Sequence, residues 1–181
     1  MNLISAVAHL VDEPLDFIER GTGGETRLVG LAGYAAGIFS LFVFLRMFSA
    51  VPPGVYSFLN LLAAAAGANF FFAAAMHLFL EMTGSEGRAL KLFLLFGATE
   101  FLWIMLIPLG FLAGLELLNP AVDLLICALA VIAARISLVR RLYSISRNKA
   151  LLALGLPYAA LAAGFLMLSV YAVVWLVWLV S

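Results

Sequence analysis

The sequence predicts an all-α fold: a polytopic integral membrane protein with five transmembrane helices, preceded by an N-terminal cytoplasmic amphipathic helix. Three observations predict it. The 181 residues are 66% hydrophobic and 11% charged, with a mean hydropathy of +1.16, whereas a soluble domain carries about 25% charged residues. The apolar residues fall into long runs of span length, and only helices and closed barrels satisfy their own backbone hydrogen bonds in lipid. The short alternating segments of a barrel are missing. Finally, the stretch Arg135–Lys149 lies between two apolar runs and holds five of the ten basic residues: Arg135, Arg140, Arg141, Arg147 and Lys149. Such clusters mark cytoplasmic loops.

Residues 1–20 place Leu3, Ile4, Val7, Leu10, Val11, Leu15 and Ile18 at helical spacing, which predicts an amphipathic helix with a break at Pro14. Its polar face carries Asp12, Glu13, Asp16 and Glu19, so it is expected to dock against basic loops at Arg88, Arg140 or Arg141 rather than on anionic headgroups. Residues 21–27 read as a Gly-rich hinge. The five-helix transmembrane domain, 28–181, follows, with spans expected at about 28–48, 55–80, 90–114, 120–140 and 150–180. Gly33 and Gly37 in the first span, and Gly110 and Gly114 in the third, have the spacing that lets helix backbones approach closely. Thr83 and Glu86 have the spacing of a cap for the third span. Pro108 is expected to kink that span, and Pro157 lies in an overlong fifth one.

Five spans put the termini on opposite sides. Arg20, Arg27, Arg88, Lys91 and the five-residue cluster fall on the N-terminal side, against Arg46 alone on the other. The positive-inside rule then makes the N-terminus cytoplasmic and the C-terminus external or lumenal; in a prokaryote the membrane would be the plasma membrane.

Candidate chemistry is sparse. Glu100 lies inside the third span, where an ionisable group costs roughly 2.5–3.5 kcal/mol unless paired, protonated or turned inward. Helical rise puts Glu100 about 13 Å beyond Lys91, Arg135 about 8 Å in and His77 about 6 Å in, all from the same side. Glu100 and Arg135 are therefore a plausible pair, with His77 and Asn69 as alternatives. This intramembrane polar cluster reads either as an internal clamp between spans or as a proton, ion or substrate site. His77 and Glu81 share a helix face, but two ligands do not make a metal site. Cys127 excludes an internal disulfide and reads as a packing residue. Zero net charge leaves no footprint for nucleic acid. No metal, cofactor or catalytic residue is expected.

Several motifs together resemble the Yip family, named for its interaction with Ypt/Rab GTPases. They are the amphipathic start containing Pro14; His77 followed by Gly84-Ser85-Glu86-Gly87; Ile107-Pro108; and the stretch Tyr143-Ser144-Ile145-Ser146-Arg147-Asn148-Lys149 leading to Leu156-Pro157. The resemblance implies a five-helix membrane domain of the short prokaryotic type. The longer cytosolic region of the eukaryotic members is not in this sequence, so a Rab-binding role does not carry over. The function expected is non-enzymatic association, as an organising or accessory subunit. Its partners would be the lipid bilayer and a protein or a second copy held through small-residue helix faces. The alternative is a small transporter or channel with a polar path at Glu100, His77 and Asn69.

Overall fold

The computed structural model describes residues 2–13, 16–18 and 21–180, apart from the Val11 side chain. Helix α1 is Leu3–Asp12. Ala6 is fully buried, Val7 and Leu10 pack on the main core, and Phe17 and Ile18 belong to that core. Leu3 and Ile4 stay exposed. The expected break at Pro14 lies outside the described residues.

Helix α2 is Gly23–Met47, so the first span starts ahead of residue 28. Thr22 is the reason. Its hydroxyl accepts the Glu25 N–H at 3.3 Å, and the Glu25 carboxylate accepts the Thr22 N–H at 2.7 Å. This capping box turns residues 23–27 of the expected hinge into the first turns of the helix. Helix α3 is Val55–Met82. The Thr83 hydroxyl donates to the carbonyls of Phe79 and Leu80, both at 3.0 Å. Thr83 therefore closes the second span instead of capping the third: its hydroxyl reaches back one turn to carbonyls that also accept the backbone N–H groups of Thr83 and Ser85.

The third span-length unit has three parts: α4 (Ala89–Glu100), a 3₁₀ segment (Phe101–Met105) and α5 (Leu106–Gly114). Pro108 lacks an N–H, and its ring crowds the carbonyl four residues back, at Ile104. The disturbance expected at Pro108 thus falls on its N-terminal side, immediately after Glu100. Helix α6 is Pro120–Leu142. Asn119 caps it by accepting the N–H groups of Ala121 and Val122 at 2.9 and 3.4 Å, with Pro120 in the first helical position. Helix α7 is Arg147–Val180; its 34 residues span about 51 Å, against a ~30 Å hydrocarbon core. It is buried only at Ala150, Ala153, Leu154 and Pro157, and every residue from Tyr158 to Val180 is exposed.

Five helices are long and apolar enough to cross a membrane, and no strand occurs among the described residues. The main core gathers at one end of the bundle, where the start of α2, the end of α3, the start of α4, the end of α6 and the start of α7 meet around Val29, Met76, Leu95, Val139 and Ala150. A smaller cluster of Phe44, Leu106 and Cys127 fills the other end. The closest backbone approach is between α2 and α4. A Cβ on Gly33 would lie 2.7 Å from the carbonyl carbon of Gly97, and one on Gly37 would lie 2.6 Å from that of Glu100. Gly110 packs on Phe44 and Met47, while Gly114 has nothing within 4 Å. The second small-residue pair therefore packs at one position only.

Candidate functional site

The polar residues of the helices assemble into two seams. The inner one joins Asn69 on α3, Thr99 and Glu100 at the end of α4, and Arg135 on α6. All four are buried; Glu100 is 2% exposed and Arg135 6%. Arg135 Nη2 donates to Glu100 Oε1 in an ion pair. Asn69 Nδ2 donates to the same oxygen at 2.8 Å. Arg135 Nε donates to Thr99 Oγ1 at 3.2 Å, and the Thr99 hydroxyl donates to the Phe96 carbonyl at 2.7 Å. The guanidinium also sits 4.8 Å over the Phe96 ring. Each charge thus has an opposite charge and at least one neutral partner, which a buried pair needs to offset desolvation. A hollow of about 260 Å3 lies alongside and touches Asn69, Glu100 and Arg135. All of its lining residues belong to the helices or the 3₁₀ segment, and none to a connecting loop.

His77, grouped with these residues by depth, is not among them. It lies two turns further along α3 than Asn69, about 12 Å by helical rise. Its Nδ1 is 2.9 Å from the Tyr143 hydroxyl, and its Nε2 is 3.6 Å from Glu81. Burial, and then the charge of Glu81, push the Tyr143 phenol up to about 12. Beside this pair Lys149 Nζ donates to Ser85 Oγ at 2.9 Å and to the Thr83 carbonyl at 3.0 Å. A lysine holding both a carbonyl and a hydroxyl is a fastening. Gly87 lies against Tyr143, where a Cβ would run into the ring, 2.7 Å from its Cζ. This outer seam brings His77, the Gly84–Gly87 turn and the Tyr143–Lys149 stretch to one place. A sequence carries no direct sign of that meeting.

A third grouping escaped sequence reading. His9, Glu13 and Asp16 present possible metal-ligand atoms within 4.8 Å of one another. His9 Nε2 is 3.3 Å from Asp16, and Nδ1 is 3.7 Å from Glu25. Their spacing, four residues and then three, was the available signal, although α1 itself ends at Asp12 and Glu13 is its C-cap. Among the described residues no ion pair joins this acidic segment to Arg88, Arg140 or Arg141, its expected partners. At the far end Asp123 is buried, and its Oδ2 has no hydrogen-bond partner among the described residues.

Compared with protein-family models, curated proteins and solved structures, the chain has no match.

Proposed function

We propose that this is an integral membrane protein that works by association, as a non-enzymatic organising or accessory subunit, with its N-terminus cytoplasmic and its C-terminus outside. The observation that carries association is the far part of α7. From Tyr158 to Val180 it is largely apolar, and every one of its residues is exposed. Its small residues, Ala159, Ala160, Ala163 and Gly164, would let another helix approach closely. The inner seam fits this reading, because its strongest donors and acceptors are spent on one another, as in a clamp joining α3, α4 and α6. The resemblance to the short Yip type points the same way and rests on the quoted motifs. Solubilising native membranes in mild detergent and identifying what co-purifies tests the proposal. A stoichiometric protein partner or a second copy is the expected result; a lone monomer refutes it.

One observation favours a second reading, a small transporter or channel. The hollow beside α6 reaches Glu100 and Arg135, so a polar solute could meet the ion pair. That reading predicts proton or ion flux in liposomes that Glu100→Gln abolishes without unfolding the protein.

A further inference from the structure

Three cations meet in one cleft at the end of the bundle that the proposed topology makes cytoplasmic. Arg27 comes from the start of α2, Arg88 precedes α4, and Lys91 lies in the first turn of α4. With Gly21, Gly23 and Leu94 they border a hollow of about 250 Å3. Arg27 and Arg88 are exposed and Lys91 is half-buried. None of the three has an ion pair or a side-chain hydrogen bond with a described residue.

The start of α4 supplies a second, independent observation. A helix N-terminus has free N–H groups and a positive end, and it favours Ser, Thr, Asp or Asn as cap and acids in the first turn. Here the cap residue is Arg88, no side chain caps the helix, the first turn holds no acid, and Lys91 stands in it. Two cations at an uncapped positive helix end repel one another and the helix unless an anion completes the arrangement. The wall then turns apolar through Leu94 and Leu90, and Leu90 is 56% exposed. An anion held beside an exposed leucine has the form of a phospholipid: phosphate among the cations, acyl chain along Leu90.

We propose that this cleft binds the phosphate of an anionic phospholipid from the cytoplasmic leaflet, with Arg27, Arg88 and Lys91 as its ligands. The inference rests on membrane insertion, so the experiment begins there. Protein released from membranes by alkaline carbonate sinks the insertion reading. Protein that stays embedded but selects no anionic lipid sinks this inference alone. The full-length protein in detergent is titrated with phosphatidylglycerol, with phosphatidylcholine and with inorganic phosphate, and retained lipid is measured by native mass spectrometry. Phosphatidylglycerol should bind more tightly than either of the others. Each cation removed should weaken it about fivefold, so Lys91→Gln alone suffices should the Arg27→Gln, Arg88→Gln, Lys91→Gln triple variant fail to fold. An Arg140→Gln, Arg141→Gln, Arg147→Gln control removes equal charge from the same side and should leave the preference standing. Equal weakening by both triples means diffuse surface charge and overturns the site. Inorganic phosphate binding as tightly as phosphatidylglycerol overturns the lipid as its source.

Discussion

Breaking the inner seam from one side should cost more than dismantling it from both. In Glu100→Gln the side chain keeps its size and can still accept from Asn69, but Arg135 loses its only ionic partner. That arginine is 6% exposed and held over Phe96, so it cannot swing to water. A buried charge left unpaired costs about 3–5 kcal/mol, offset in part by the retained bonds to Thr99 and the amide oxygen, so about 3 kcal/mol is expected. Arg135→Gln leaves the buried carboxylate, 2% exposed, without its opposite charge and should cost about as much. The double variant removes both charges together. It should recover about 1–3 kcal/mol relative to the sum of the singles. Thermal and denaturant unfolding of the four proteins in one detergent measures the cycle. Strict additivity would refute the clamp. A silent Glu100→Gln beside a damaging Arg135→Gln would mean that the glutamate is protonated and the pair is not ionic.

Gly33→Ala should destabilise by about 1–3 kcal/mol, because its Cβ meets backbone that cannot yield, while Gly114→Ala, with open space around it, should leave the same unfolding midpoint unchanged. In a Cys127→Ala background, an impermeant thiol reagent on intact cells should label a cysteine at Val180 and spare one at Ser146; the reverse pattern inverts the topology. The Tyr143 phenol titrates higher folded than unfolded, so the stability it contributes is complete below about pH 10 and lost as pH rises toward 12. Melting curves of wild type and Tyr143→Phe should therefore diverge progressively above pH 10. Single cysteines stepped along Tyr158–Val180 should cross-link with helical periodicity when α7 packs on a second copy, and uniform silence along the helix would remove that partner.

The spans were legible because composition and run length alone define them. Their limits were less so. The start of α2 depends on a reciprocal Thr22–Glu25 cap beneath a Gly-rich stretch that reads as a hinge. Thr83 could serve either neighbouring helix, and only the chain's path assigns it to α3. Helical rise predicted that Glu100 and Arg135 lie at compatible depth, since depth follows from residue count. It could not choose between Asn69 and His77, because the two, about 12 Å apart along α3, bracket the depth of Glu100, and the choice turns on rotation about the axis and on the approach of α6 and α7. The partner of Gly33 was equally hidden. Gly97 carries no spacing motif of its own, and lipid-facing and helix-facing positions are similarly apolar, so periodicity does not say which face meets which helix.

The same indifference gives the polar residues their role. Where apolar surface does not distinguish one helix pairing from another, close small-residue contacts and hydrogen bonds must do so. Gly30, Gly33 and Gly37 set α2 against α4. The Glu100 seam sets α3, α4 and α6 in register. Lys149, bonded to Thr83 and Ser85, fixes α7, but only through its first turn. Beyond Pro157, Tyr158 packs on Phe72, with ring centroids 4.5 Å apart. The long remainder of α7 thus has length and hydropathy enough to cross a bilayer, yet all of it is exposed, and burial against the chain does not select its neighbour. On the association reading, that selection is made by another polypeptide. The small residues between Ala159 and Gly164 are where it would be made, at the point where the chain's own specifying contacts end.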